Sequence, residues 1–271
     1  MGFKIITAEE RMAEKKGVKA LVIGPPGVGK TSLLRTLNPH RTLFLDFEAG
    51  DLAVQDVPVD QVRPADWPEC RDLACYLAGP NENLDQNEPY SQAHYDAIED
   101  HFDGLNLDKY DTFFIDSITV ASRMSYRWSK QQPRAFNKAG EPDTRGAYGL
   151  HGEQMIEWDT QLQHARGKNV IFVCLMDQVE DDFNRKHWAL QMDGKKAANG
   201  IPGIVDVIAA MTIIHPDDGD PYRGLVTDPT NEWGFPVKVR NGGHLAPIEQ
   251  PHLGNLIEKL TGSPESQKEA A

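Results

Sequence analysis

No run of 18 apolar residues occurs in the 271-residue chain, so nothing in it reads as a membrane-spanning helix. Cysteine is scarce. Cys70, Cys75 and Cys174 show neither C-x-x-C nor histidine-rich spacing, which argues against a zinc site or a disulfide framework. The thiols are expected to be reduced and mostly buried. Met1-Gly2-Phe3-Lys4 leads into polar sequence rather than a secretory signal, and Ile6 stands where a myristoylation motif needs Ser or Thr. A cytoplasmic protein with no membrane partner is the expectation. Positive charge is short as well: the formal net charge is −13. That excludes a surface uniformly suited to coating nucleic acid, but not a local basic groove.

What is present is dominated by one stretch. Gly24-Pro25-Pro26-Gly27-Val28-Gly29-Lys30-Thr31 matches the phosphate-loop pattern G-x-x-x-x-G-K-[ST] and runs on into Ser32. The apolar run Val18–Ile23 before it reads as a buried parallel strand. Thr31–Leu37 behind it reads as the first turns of a helix, stopped by Asn38-Pro39. Strand, glycine loop and helix are the context in which backbone N–H groups turn inward around phosphate oxygens. Lys30 would reach the β- and γ-phosphates of ATP, and the Thr31 hydroxyl would hold Mg²⁺.

Thr7-Ala8-Glu9-Glu10 has the form of a capping box. It predicts a helix closed near Gly17, preceded by a short strand from residue 3 and packed at the edge of the core. Strands follow at Arg41–Asp46, Thr112–Ser117, Asn169–Met176 and Val207–Ile214. A hairpin leads into Tyr222–Thr227, and a last strand spans Phe235–Arg240. Residues 51–110 carry two helices, near 66–78 and 91–103. Another helix follows Asp116 to about Gln131, and a further one carries Met155, Trp158, Leu162 and Ala165 on one face. Residues 179–203 read as a polar loop, and the tail from Thr261 as disordered. The alternation of strands and helices predicts one α/β domain over 1–260: a mainly parallel sheet, helices on both faces, and an antiparallel C-terminal extension.

Ligands of such sheets sit at the carboxyl ends of strands. Lys30, Glu48, Asp116 and Gln178 all fall there. Asp116 follows four strand residues as a Walker-B carboxylate does, and would bind Mg²⁺; the plainer alternative is a cap for the next helix. Many P-loop ATPases place Glu directly after that Asp, but here the position is Ser117. Glu48, at the end of the second strand, becomes the candidate for orienting or deprotonating the attacking water.

Glu48 in Leu45-Asp46-Phe47-Glu48-Ala49, Asp116-Ser117, and Gln178 in Leu175-Met176-Asp177-Gln178-Val179 together resemble the RecA-like recombinase core. More narrowly, the chain resembles the phage-encoded, core-only RecA-like ATPases of single-strand annealing and recombination. The resemblance covers about residues 18–250. It implies ATP hydrolysis stimulated by DNA, Glu48 as the catalytic carboxylate, and Gln178 as a sensor of the γ-phosphate. It also implies self-association into a ring or filament, leaving room for a single-strand-binding protein as partner. In such assemblies basic residues of a neighbour reach the nucleotide, and Lys238 and Arg240 occupy the comparable place, on one face of their strand.

Two segments run against the acidic background. Residues 122–147 hold Arg123, Arg127, Lys130, Arg134, Lys138 and Arg145 against Glu141 and Asp143, with Tyr126, Trp128, Phe136 and Tyr148 interleaved or adjacent. Residues 184–196 hold Arg185, Lys186, Lys195 and Lys196 against Asp193, with Trp188 between them. Basic groups that track phosphates and aromatics that stack bases are the tools of single-strand binding; solvated helix faces are the alternative. Arg134, Lys138, Arg145, Lys195 and Lys196 are the candidate DNA contacts. Two other functions stay open at this point, a P-loop small-molecule kinase and a nucleotide-gated assembly protein without a DNA role.

Overall fold

A computed structural model of the chain describes residues 5–14, 16–102, 104–181, 183–240 and 245–262. The strands are β1 (Lys19–Gly24), β2 (Thr42–Asp46), β3 (Asp60–Val62), β4 (Thr112–Asp116), β5 (Asn169–Glu180), β6 (Lys186–Leu190), β7 (Val207–Ile214), β8 (Tyr222–Val226), β9 (Lys238–Val239) and β10 (Ile248–Glu249). The helices are α1 (Ala8–Ala13), α2 (Trp67–Ala78), α3 (Gln92–Ile98), α4 (Ile118–Ser129), α5 (Thr144–Gln163), α6 (Lys195–Ile204) and α7 (Leu253–Thr261). A 3₁₀ helix, Thr31–Thr36, follows the phosphate loop.

The sheet runs β10-β8-β7-β1-β5-β4-β2-β3, with β6 paired to β5 and β9 to β7. Pairing from β7 through β3 is parallel, and β8, β9 and β10 join antiparallel. The expected α/β class, with its parallel sheet and antiparallel extension, is therefore what forms. β1 is buried at every position because parallel neighbours flank both its edges and helices cover both its faces. One face packs Leu21, Ile23, Phe113 and Phe172 against α2, α4 and α5 through Trp67, Leu73 and Trp158. The other packs Val22, Phe114 and Ile171 against Leu33, Leu34 and, from α7, Leu253 and Leu256. The indole N–H groups of Trp67 and Trp158 donate to Gln154 Oε1 (3.1 Å) and the Cys70 carbonyl (2.9 Å), so both rings are buried without an orphaned donor. Cys70, Cys75 and Cys174 are free and buried as expected; burial pushes the Cys75 and Cys174 thiols up to about 12 and Cys70 further.

Several sequence expectations need correcting. The capping box forms, with Thr7 and Glu10 exchanging bonds of 2.8 and 3.2 Å, but α1 ends at Ala13 and buries none of its residues. Its apolar side chain Met12 stays exposed, as do Ile5 and Ile6 before it, so the segment adds nothing to the core. The strand expected before it begins outside the described residues, and Ile5 and Ile6 are not in a strand. Thr31–Thr36 takes the tighter 3₁₀ form because Asn38-Pro39 leaves it only a turn or two. The supposed polar loop 179–203 contains the outer half of a β5–β6 hairpin and helix α6. Alternation in Lys186-His187-Trp188-Ala189-Leu190 is weak, and Gly200, Pro202 and Gly203 disguise the helix. The last strand shrinks to Lys238–Val239; β10 and α7 were unforeseen, and the tail from 263 lies outside the described residues.

Candidate nucleotide site

The phosphate loop leaves β1 at Gly24, level with Leu175 of β5. A side chain at Gly24 would meet the Met211 carbonyl at 2.6 Å, so only glycine lets β7 lie this close. Gly27 and Gly29 have φ of 74° and 106°, a region that L-residues avoid. Pro25 and Pro26 carry no N–H, so the donors that can face phosphate begin at Gly27 and run through Val28, Gly29, Lys30, Thr31 and Ser32. Val28 is buried in the core and pins the loop from below. Lys30 folds back, its ammonium donating to the carbonyls of Gly24 (2.9 Å) and Pro25 (2.8 Å); burial lowers its pKa, and Asp116 opposes that.

Asp116 ends β4, level with Asp46 of β2 and Val173 of β5. Its Oδ2 accepts a hydrogen bond from the Thr31 hydroxyl at 2.5 Å, which joins the two residues expected to hold Mg²⁺. Burial pushes the Asp116 carboxyl up to about 6, with Glu48 and Asp46 adding to the rise and the Thr31 bond and Lys30 opposing it. Among the described residues no three His, Cys, Asp or Glu side chains form a ready-made metal cage. Nucleotide-bound Mg²⁺ takes most of its oxygens from phosphate and water, so a hydroxyl and one carboxylate are a fitting donor set.

Ser117, joined to Asp116 by a cis peptide, caps α4 by accepting from Val120 N (3.4 Å) and donates its own proton to Glu48 Oε1. The residue that replaces the usual glutamate thus holds the glutamate supplied by β2. Asp46 fixes the segment carrying Glu48. Buried at 2% exposure, it accepts from Glu48 N (3.2 Å), Gly50 N (3.3 Å), Gln61 Nε2 (2.7 Å) and Arg63 Nε (3.0 Å). The sequence suggested Asp46 only as the neighbour of Glu48, and nothing in it pointed to Gln61 or Arg63.

Gln178 lies further along β5. It sits opposite Trp188 in the β5–β6 hairpin, exposed, three residues and about 10 Å past the level of Gly24. Lys238 and Arg240 lie at the opposite end of the sheet. Lys238 Nζ donates to the carbonyls of Pro202 (2.5 Å) and Val205 (2.8 Å), and Arg240 pairs with Asp206 (3.2 Å) and the Gly203 carbonyl (2.6 Å). They share a face as expected but cannot reach the nucleotide loop of their own chain. The two basic segments do approach each other, since α5 packs on α6 and Lys196 covers Gly152. They border a cavity of about 820 Å³ lined in part by Tyr148, His187, Lys195 and Lys196. Tyr126 and Tyr148 stack at 4.4 Å, and Lys130 lies over the Tyr126 ring. The raw charge count overstated the patch: Glu153 of α5 engages Arg134 at 2.6 Å and Lys196 at 3.8 Å. Lys138, Arg145 and Lys195 have no ion pair among the described residues.

A family model described as an AAA domain matches residues 16–240. No curated protein matches the chain. Among solved structures, an ATPase from the type III secretion system of pathogenic bacteria aligns at 14% identity and TM-score 0.41, over 73% of this chain; the chain spans about half of it, 51%. The RadB recombinase aligns at 13% identity and TM-score 0.35, over 84% of this chain and 92% of its own. The flagellar accessory protein FlaH from Methanocaldococcus jannaschii aligns at 9% identity and TM-score 0.32, covering 80% and 81%.

Proposed function

The chain belongs to the AAA domain family, and from that premise we propose that it is a RecA-like P-loop ATPase that hydrolyses ATP in concert with binding single-stranded DNA. The observation that carries the hydrolytic half is the convergence of Lys30, Thr31, Asp116 and Glu48 through the Thr31–Asp116 and Ser117–Glu48 bonds. Lys30 releases its two carbonyls and turns to the β- and γ-phosphates. Thr31 and Asp116 would hold Mg²⁺, which would supply positive charge against those oxygens. Glu48 keeps Oε1 on Ser117, and Oε2, which has no protein partner among the described residues, is free to orient a water and take its proton as it attacks the γ-phosphorus.

The DNA half is supported by Lys138, Arg145 and Lys195, cations with no ion pair among the described residues, by the Tyr126–Tyr148 stack, and by a cavity between α5 and the β5–β6 hairpin. β5 passes the phosphate loop at Leu175 and continues into that hairpin, where Gln178 lies, so one strand serves both regions. Lys238 and Arg240 fit a nucleotide role only in an assembly, acting on a neighbour's site. The test is ATP turnover with and without single-stranded DNA, together with the salt dependence of DNA binding. Turnover is expected to rise with DNA. Replacing Lys138, Arg145 and Lys195 by Ala should flatten the salt slope by about 0.7 per lost phosphate contact. Turnover indifferent to DNA, with an unchanged slope, would leave an ATPase whose basic segments are solvated surface.

A further inference from the structure

Arg223 of β8 is a cation that neither the motifs nor the charge count singled out. It pairs with Ile213 of β7, two residues on from Met211 and on the same face. Its side chain reaches back across β7 to the phosphate loop. A methyl group placed on Gly29 would lie 3.5 Å from Arg223 Nε, 3.7 Å from its Cδ and 3.4 Å from Met211 Cε. Arg35, Arg63 and Arg134 each hold a carboxylate, while Arg123, Arg127 and Arg145 hold none among the described residues. Arg223 has no such partner among the described residues, although an exposed guanidinium beside an anion-binding loop has every electrostatic reason to take one.

The sheet order says which part of a nucleotide this cation faces. Thr31 turns toward Asp116 on β4, and Glu48 follows β2; both strands lie on one side of β1, whereas β7 and β8 lie on the other. The phosphate attacked by water held at Glu48 must therefore point toward β4 and β2. The remaining phosphates and the nucleoside trail toward β7 and β8. We infer that Arg223 binds the non-transferred phosphates of the nucleotide held by its own chain, with exposed Ile213 beside it as an apolar shelf on the nucleoside side. This rests on the ATP reading above. It makes Arg223 a binding residue, distinct from a finger that acts on the transferred phosphate: ADP and ATP offer it the same oxygens.

The test compares ATP and ADP affinity and kcat at saturating ATP for the wild-type protein, Arg223→Ala, Arg223→Lys and Lys30→Ala. Arg223→Ala is expected to weaken ATP and ADP by the same factor, roughly tenfold, as for one lost charge-assisted contact. Saturated kcat should stay within about twofold, the signature of binding shared by ground and transition states. Arg223→Lys should recover part of the affinity, since it keeps the charge and loses the fork. Unchanged ADP affinity, or a fall in kcat with affinity intact, would overturn the assignment. Wild-type protein that binds no nucleotide at all would remove the ATP reading and the inference with it. Wild-type binding that disappears in Lys30→Ala keeps the reading, so that Arg223 is then judged alone.

Discussion

The two ends of the central sheet hold the same kinds of side chain under opposite conditions. At the N-terminal end lysines staple distant parts of the chain. Lys19 donates to the carbonyls of Ala165 (3.1 Å) and Lys168 (2.7 Å), Lys168 to those of Leu107 (2.9 Å) and Tyr110 (2.6 Å), and Lys238 to those of Pro202 and Val205. Asp206 joins the set by accepting from Lys19 N (3.1 Å) and Arg240. At the C-terminal end Lys30 also donates to carbonyls, but to those five and six residues back in its own loop. Releasing the first kind of bond separates elements of the fold. Releasing the second only reopens a loop. A lysine's environment alone does not distinguish structural from functional roles; the sequence distance of its acceptors does.

The comparison can be broken at either end. The largest effect is expected from Glu48→Gln, which should slow ATP hydrolysis by roughly 10²-fold while leaving nucleotide affinity and thermal unfolding unchanged. A comparable loss of stability would mean that Glu48 belongs with the staples. Lys238→Met should do the reverse, lowering the free energy of unfolding by about 1–2 kcal/mol as two carbonyls lose their donor, read by chemical denaturation. Nucleotide affinity of isolated subunits should not change. If turnover of assembled protein falls as well, and mixing with Glu48→Gln subunits partly restores it, the same lysine also serves a neighbour's site.

A graded effect, not a single step, is expected with pH. Burial lowers Lys19 to about 8, and Asp206 opposes the shift. Between that value and the ordinary lysine range near 10.4 the unfolded chain binds the extra proton, so stability should rise with pH across this window, by at most about 1.4 kcal/mol per pH unit. Denaturation midpoints from pH 8 to 10 would show the slope, and Lys19→Met should flatten it. An unaltered slope would show that Lys19 keeps its proton in the folded state.

The C-terminal end was legible because its chemistry is local in sequence. Gly24–Thr31 is one contiguous pattern, and Asp116 and Glu48 each close an apolar run whose end the alternation of residue types reveals. The N-terminal end was not legible, because a lysine's choice of a carbonyl 33 or 149 residues away leaves no mark near it. Asp46 shows the same limit inside the site: its acceptors' partners Gln61 and Arg63 come from β3 and the residue after it, whose strand Asp60–Val62 is short and half-exposed. Arg223 escaped notice for a third reason. Tyr222-Arg223-Gly224 reads as an ordinary edge of a hairpin, and only the pairing order brings it beside Gly29.

The burial of the three thiols has a practical side. With Cys75 and Cys174 held near 12 and Cys70 beyond, the native protein offers maleimides and iodoacetamides almost no thiolate at neutral pH. A single cysteine introduced at an exposed position of the β5–β6 hairpin, such as Val179, becomes the one reactive handle without any background to remove. A dye attached there would sit at the far end of the strand that borders the phosphate loop, and its emission would follow that strand in real time.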